Sequence, residues 1–203
     1  CDGVILNSNR IKQIAFIKAL SSKYNKKSIK IFIEYIKNNG GVSRFEKFKY
    51  FFIKIQKIKN YKKEYLECIK NFANIMNQEL QNCEIDKSLI DLIKKNKNKN
   101  FFVISASEQK ELRITLKNKK LNRYFDAIYG SPSNKTKNLK KIFNNKNIKK
   151  PFLYIGDSKE DYFFAEKNNI DFLFIYHWTN LNNWKVFCFK NKIKYVKELK
   201  SLL

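Results

Sequence analysis

Apolar and polar positions follow two rhythms along this chain. Three short runs are apolar and end in turn or helix-start residues: FFVISAS at 101–107, PFLYIGDS at 151–158 and IDFLFIY at 170–176. A weaker run of the same kind is DAIYGS at 126–131. Such runs predict buried strands. Helical patterns lie between them, at 108–119, 135–143 and 158–168. Strands alternating with helices predict an α/β fold: a Rossmann-like parallel sheet covered by helices on both faces. Val4-Ile5-Leu6 predicts the tail of a first, central strand.

Between 10 and 80 the rhythm is helical throughout. Ile29, Phe32, Ile33 and Ile36 make one stripe. Phe45, Phe48, Phe52, Ile55 and Ile58 make a second; Tyr65, Ile69, Phe72, Met76 and Leu80 make a third. Gly40-Gly41 breaks the run between helices. The expected organisation is a core of 1–9 and 81–203, with helices inserted at 10–80. Asp86 reads as the N-cap of a core helix at 87–95, and KKNKNKN at 94–100 as a polar turn.

Composition narrows the class. The chain has 203 residues, 43% of them hydrophobic and 15% aromatic, enough for a sizeable core. No apolar stretch approaches the roughly 20 residues of a membrane span. The observed start is not a secretory signal. The net charge of +25 suits an anionic partner such as nucleic acid, a membrane surface or a phosphorylated metabolite. Yet the lysines are spread over every segment, and arginine, which nucleic-acid faces favour, occurs only at Arg10, Arg44, Arg113 and Arg123. Lysine-rich coding bias accounts for most of the charge. Cys1, Cys68, Cys83 and Cys188 form no C-x-x-C pair, and His177 is the sole histidine. Scattered ligands do not make a zinc site, and the thiols read as reduced and cytoplasmic.

In parallel α/β sheets, ligands bind beyond the carboxyl ends of the strands. Asp2 stands before the first apolar run, Ser105 follows Val103-Ile104, and Asp157 follows Ile155-Gly156 with Asp161 four positions on. Lys135 opens the helix after GSPSN. Several carboxylates at one edge call for a divalent cation, and Mg²⁺ accepts oxygen ligands it can share with a phosphate. A hydroxyl and a lysine would hold the phosphoryl group, and helix starts at Ser107 and Ser158 would add backbone donors. Singly each residue has an ordinary alternative: a cap and a surface charge at 157 and 161, a turn hydroxyl at 105, one lysine among dozens at 135. Their order along the chain is what makes the set distinctive.

That order resembles the haloacid dehalogenase-like hydrolase superfamily with an inserted helical cap. The first motif, D-x-D-G, is matched by Cys1-Asp2-Gly3, and the second, a strand ending in Ser or Thr, by FFVIS at Ser105. The third-motif lysine is matched by Lys135, and G-D-S-x-x-D by Gly156 to Asp161. Asn7 stands where the family usually has Asp. The resemblance implies a nucleophilic aspartate one residue ahead of Cys1, so an N-terminally truncated sequence is expected, inactive by itself. Asp2 would then be the acid/base, Ser105, the Ala106 backbone and Lys135 the phosphate holders, and Asp2, Asp157 and Asp161 the Mg²⁺ ligands.

Gly41-Val42-Ser43-Arg44 matches the G-V-S-R run of the similar β-phosphoglucomutases, which makes Arg44 a candidate clamp for a second anionic group of the substrate. Ser43 as a helix cap with Arg44 in solvent is the plainer reading. His177, Trp178 and Trp184 either border the site or pack a C-terminal loop. The resulting expectation is a Mg²⁺-dependent phosphatase for a small phosphorylated metabolite, a sugar phosphate or phosphoglycolate. A β-phosphoglucomutase-like mutase is the alternative, and a basic nucleic-acid-binding domain the alternative of another class; a dehalogenase fits the acidic fourth motif less well.

Overall fold

The computed structural model describes residues 1–145, 148 and 150–203. The chain enters through helices α1 (Asn9–Leu20), α2 (Lys26–Asn38), α3 (Arg44–Tyr50) and α4 (Lys62–Glu79). A π-helical turn, Phe51–Ile55, follows α3. Then come α5 (Leu89–Lys95), β1 (Phe102–Glu108), α6 (Gln109–Asn118), β2 (Ala127–Ser131), α7 (Lys135–Phe143), β3 (Leu153–Gly156), α8 (Lys159–Lys167), β4 (Asp171–Ile175), α9 (Trp184–Lys190) and β5 (Lys194–Val196). The result is the expected α/β fold with parallel strands.

β1 pairs with β2 in parallel, Val103 facing Ile128 and Ile104 facing Tyr129. β3, β4 and β5 form a second parallel set, with Ile155 opposite Leu173 and Phe174 opposite Tyr195. Among the described residues no strand joins the two sets. A side chain does: the Tyr154 hydroxyl donates to the Ile104 carbonyl at 3.0 Å. β5 lies outside the sequence expectation because it is only three residues long and mostly exposed, so it carries no apolar run.

Val4 to Leu6 is a turn, not a strand tail. The amides of Ile5 and Leu6 both donate to the Cys1 carbonyl, at 2.7 and 3.0 Å, and Gly3 takes a φ of +70°. The three side chains are apolar because they are buried, at 5, 7 and 2% exposure. Asp86 is likewise not an N-cap: α5 begins at Leu89, and Asp86 accepts from the Ser88 amide and the Leu199 amide instead.

The helical region is organised by phenylalanines. Phe16 of α1 lies 5.5 Å from Phe32 of α2, 5.1 Å from Phe48 of α3 and 4.4 Å from Phe72 of α4, ring centre to ring centre. All four are essentially inaccessible. Such pairs add about 0.5–1.5 kcal/mol each beyond burial. The cluster therefore fixes α1 and α3 against each other, and these two helices carry side chains into the site. Its apolar contacts run on without a break into Val4, Leu6, Val103 and Leu116 of the α/β part.

Helix starts were legible. Ser43 accepts from the Glu46 amide, Asn134 from the Lys137 amide and Ser158 from the Asp161 amide. These caps place Arg44, Lys135 and Lys159 at the first helical positions. Ser107 is not a helix start: it lies within β1, and Glu108 caps α6.

Candidate active site

A cavity of about 90 Å³ opens at the carboxyl ends of β1 and β3, under the loop that joins α2 to α3. Asp2, Arg44, Ser105, Ala106, Lys135, Asp157 and Asp161 all line it. The fold thus brings these seven candidate residues to one place.

Asp2 is the most heavily engaged carboxylate. The Lys12 ammonium lies 2.5 Å from its Oδ2, and the Ser8 hydroxyl donates to Oδ1 at 2.5 Å. Ser107 and Ser105 donate to Oδ2 at 2.7 and 3.3 Å. Burial works against its ionisation, but the Lys12 charge and the donated hydrogen bonds outweigh that and hold the carboxyl well below the usual range. Lys12 was not picked out in the sequence, and Ser107 was picked out only as a helix start, not for its hydroxyl on Asp2. Lys12 lies on α1, six positions past Leu6, and only the turn at 3–6 swings that helix back over Asp2.

Lys135 pairs with Asp161 at 2.5 Å, and the Ser158 hydroxyl donates to the other Asp161 oxygen at 2.7 Å. The Tyr154 hydroxyl, whose one proton also faces the Ile104 carbonyl, lies 3.2 Å from Asp161 Oδ1. Burial opposes both charges of the pair. Their mutual attraction prevails, so the Lys135 ammonium is raised above its ordinary range and the Asp161 carboxyl lowered below its own.

Asp157 differs. Among the described residues its side chain accepts a single hydrogen bond, from Asn9 Nδ2 at 2.7 Å, and the same amide donates to the Trp178 carbonyl at 2.8 Å. Burial and the neighbouring Asp161 charge push the Asp157 carboxyl up to about 7. The close approach requires a glycine opposite: a Cβ on Gly3 would lie 2.1 Å from Asp157 Oδ2.

The three expected metal ligands do not converge as side chains. Among the described residues no group of three His, Cys, Asp or Glu is placed to hold a metal ion. The physical reason is competition: Asp2 is taken by Lys12 and hydroxyls, Asp161 by Lys135 and Ser158. Asp157 has the chemistry of a cation ligand, a crowded carboxylate with one neutral donor, and Asp161 lies close enough to share its field. The donors fit a hard oxygen-seeking cation centred on Asp157, with no three-carboxylate cage.

Arg44 is also not a free clamp. Its guanidinium donates to both oxygens of Glu111 on α6, the NH1 bond at 2.9 Å, and stacks 4.4 Å from the Phe72 ring. Both side chains are buried, at 5 and 6% exposure. Three positions on, Lys47 lines the same cavity, is 7% exposed and has no acidic partner among the described residues. Burial and the nearby Lys12 charge push its ammonium down to about 7. Nothing along the chain marks Lys47 beyond its place on the helix after G-V-S-R.

Gly41 closes the α2–α3 loop onto the strand-end loop. Its φ is +76°, and a Cβ there would lie 2.8 Å from Ser158 Oγ. Of the flanking residues, Trp178 touches the site through its carbonyl, whereas His177 is exposed and Trp184 stacks on Tyr176 at 4.2 Å. Asn7 points away, to Glu84.

Parallel strands whose ends present hydroxyls, a lysine–aspartate pair and a second loop carboxylate define an anion-handling enzyme of the α/β class. Residues 1–175 match the family model for haloacid dehalogenase-like hydrolases, and the chain belongs to that family. Its structure is similar to a haloacid dehalogenase-like family hydrolase from Streptococcus pneumoniae, at 18% identity and a TM-score of 0.71, covering 100% of this chain and 93% of that one. It is also similar to a candidate phosphoglycolate phosphatase from Lactobacillus delbrueckii subsp. bulgaricus, at 17% identity and a TM-score of 0.69 over 99% and 93% of the two chains. A hydrolase from Pseudomonas syringae aligns at 16% identity with a TM-score of 0.71, over 97% and 90%. At these identities the likeness concerns the fold. No curated protein matches the sequence significantly. Among the described residues no helix is long and apolar enough to cross a membrane.

Proposed function

We propose that this chain carries the core and cap of a Mg²⁺-dependent phosphatase acting on a small phosphorylated metabolite. The observation that supports it most is the meeting of Asp2, Ser105, Lys135 and Asp157 around one cavity. Ser105, the Ala106 amide and Lys135 hold the phosphoryl group. An aspartate joined ahead of Cys1 attacks phosphorus; Cys1 itself lines the cavity, so a residue attached there would enter it. Asp2 serves as acid and base at the bridging oxygen and the incoming water. Asp157, with Asp161 beside it, holds Mg²⁺, which offsets the charge of the transferring phosphoryl group when bound.

Residues 10–80 act as the cap, closing through the Gly40-Gly41 loop to exclude water. The free thiols fit a reducing, cytoplasmic setting. The mutase reading rested on Arg44 as a phosphate clamp, and the Glu111 pairing removes that support.

The test is phosphate release from an aryl phosphate by the protein with an aspartate placed ahead of Cys1. Activity should require Mg²⁺, vanish with a chelator, and vanish in Asp157→Asn. Turnover that persists in the chelator defeats the reading.

A further inference from the structure

Six cations line the cavity: Lys12, Lys37, Arg44, Lys47, Lys135 and Lys159. Four have carboxylate partners: Lys12 with Asp2, Lys37 with Glu34, Arg44 with Glu111 and Lys135 with Asp161. Lys159 keeps partial access to solvent. Lys47 has neither. It is buried, no hydrogen-bond acceptor meets its ammonium among the described residues, and its aromatic neighbour, Phe16, is 5.7 Å away. Its tip is not among the inaccessible unpartnered nitrogens, so a mostly buried stem presents an uncompensated cation to the cavity, where an anion would complete it. Phe16, Phe48 and Phe72 hold α3 rigidly, so Lys47 cannot swing out to solvent without breaking that packing.

We infer that Lys47, and not Arg44, is the side chain that recognises a second anionic group on the substrate, a carboxylate or a second phosphate. Lys47 stands on α3 in the helical region, whereas the phosphoryl-holding set Ser105 and Lys135 belongs to the α/β part. A ligand touching both spans the cavity. The volume of about 90 Å³ corresponds to roughly six to nine water-sized positions. This inference rests on the phosphatase reading of the cavity.

The test is calorimetric binding to the full chain in Mg²⁺ buffer, with three probes: 2-phosphoglycolate, a sugar bisphosphate and ethyl phosphate. Lys47→Met should weaken the probe that carries the recognised second anion about 10- to 100-fold, the loss expected for one charge-assisted hydrogen bond. Ethyl phosphate should stay within about twofold, and Lys47→Arg should restore most of the affinity. Which of the two doubly anionic probes suffers the loss identifies the second anion as carboxylate or phosphate. Equal weakening of all three probes, or of none, overturns the role of Lys47 while leaving the phosphate site intact. Failure of the unsubstituted chain to bind any probe overturns both.

Discussion

Arg44 and Glu111 lock α3 to α6 through a buried two-pronged ion pair, 67 residues apart in sequence. Because both side chains are almost wholly inaccessible, each depends on the other for charge compensation. Glu111→Gln should cost about 3–5 kcal/mol in urea unfolding, since it strands a guanidinium in the core. The double change Arg44→Met with Glu111→Leu should recover most of that loss. Equal damage from the single and double variants would show that shape, not charge, matters there.

Lys12 controls the ionisation of Asp2. The folded Asp2 titrates below its unfolded value, so it adds stability that is present above about pH 4 and disappears as the pH falls through the folded value. Lys12→Met should therefore raise the midpoint of acid unfolding. In a chain carrying an added aspartate ahead of Cys1, the acid limb of the pH–rate profile should move up by about one to three pH units. An unchanged limb would assign that limb to another group.

Lys47 predicts the opposite trend. Its unfolded value is 10.5, and in the folded chain it titrates near 7. The unfolded state therefore binds the extra proton between these limits, and the wild-type protein gains stability as the pH rises from about 7 to about 10.5. Lys47→Met should be the more stable protein at about pH 6, with the gap closing by about pH 10. Urea melts at both values measure it. A lysine that stabilises the resting fold would give the reverse order.

Gly41 sits where the α2–α3 loop meets Ser158 and Glu160. Alanine there must adopt a left-handed conformation and push its methyl into Ser158 Oγ at 2.8 Å. The left-handed penalty of about 1–2 kcal/mol should lower Tm by roughly 2–8 °C in a chain of this size. A thermal melt that shows no drop would mean the loop rearranges freely.

Much of the fold is determined by the sequence alone. The span of α7 is the one its periodicity predicts, and β1, β3 and β4 fall inside the predicted runs to within a residue or two. The first and third stripes run along the buried sides of α2 and α4, while the second shares only Phe48 with the buried face of α3 and continues through the π-helical turn at Phe52 and Ile55. Periodicity works here because it reports which face must leave water. It fails at Val4 to Leu6, where a buried turn has the same composition as a strand, and at β5, which buries almost nothing.

The site divides in the same way. Ser105 on β1, Asp157 just after β3, and Lys135 and Asp161 on the helices that follow were legible because strand ends and helix starts are local events, whereas Asp2 was placed before a strand that is in fact a turn. The partners of the charges were not legible. Asn9 meets Asp157 across 148 residues, and Lys12 meets Ser107 across 95. In a chain with lysine in every segment, the residue type says nothing about which ammonium is buried, which is paired and which is held free. Packing on Phe16 makes that choice: it turns Lys12 toward Asp2, commits Arg44 to Glu111 and leaves Lys47 in the cavity without a carboxylate.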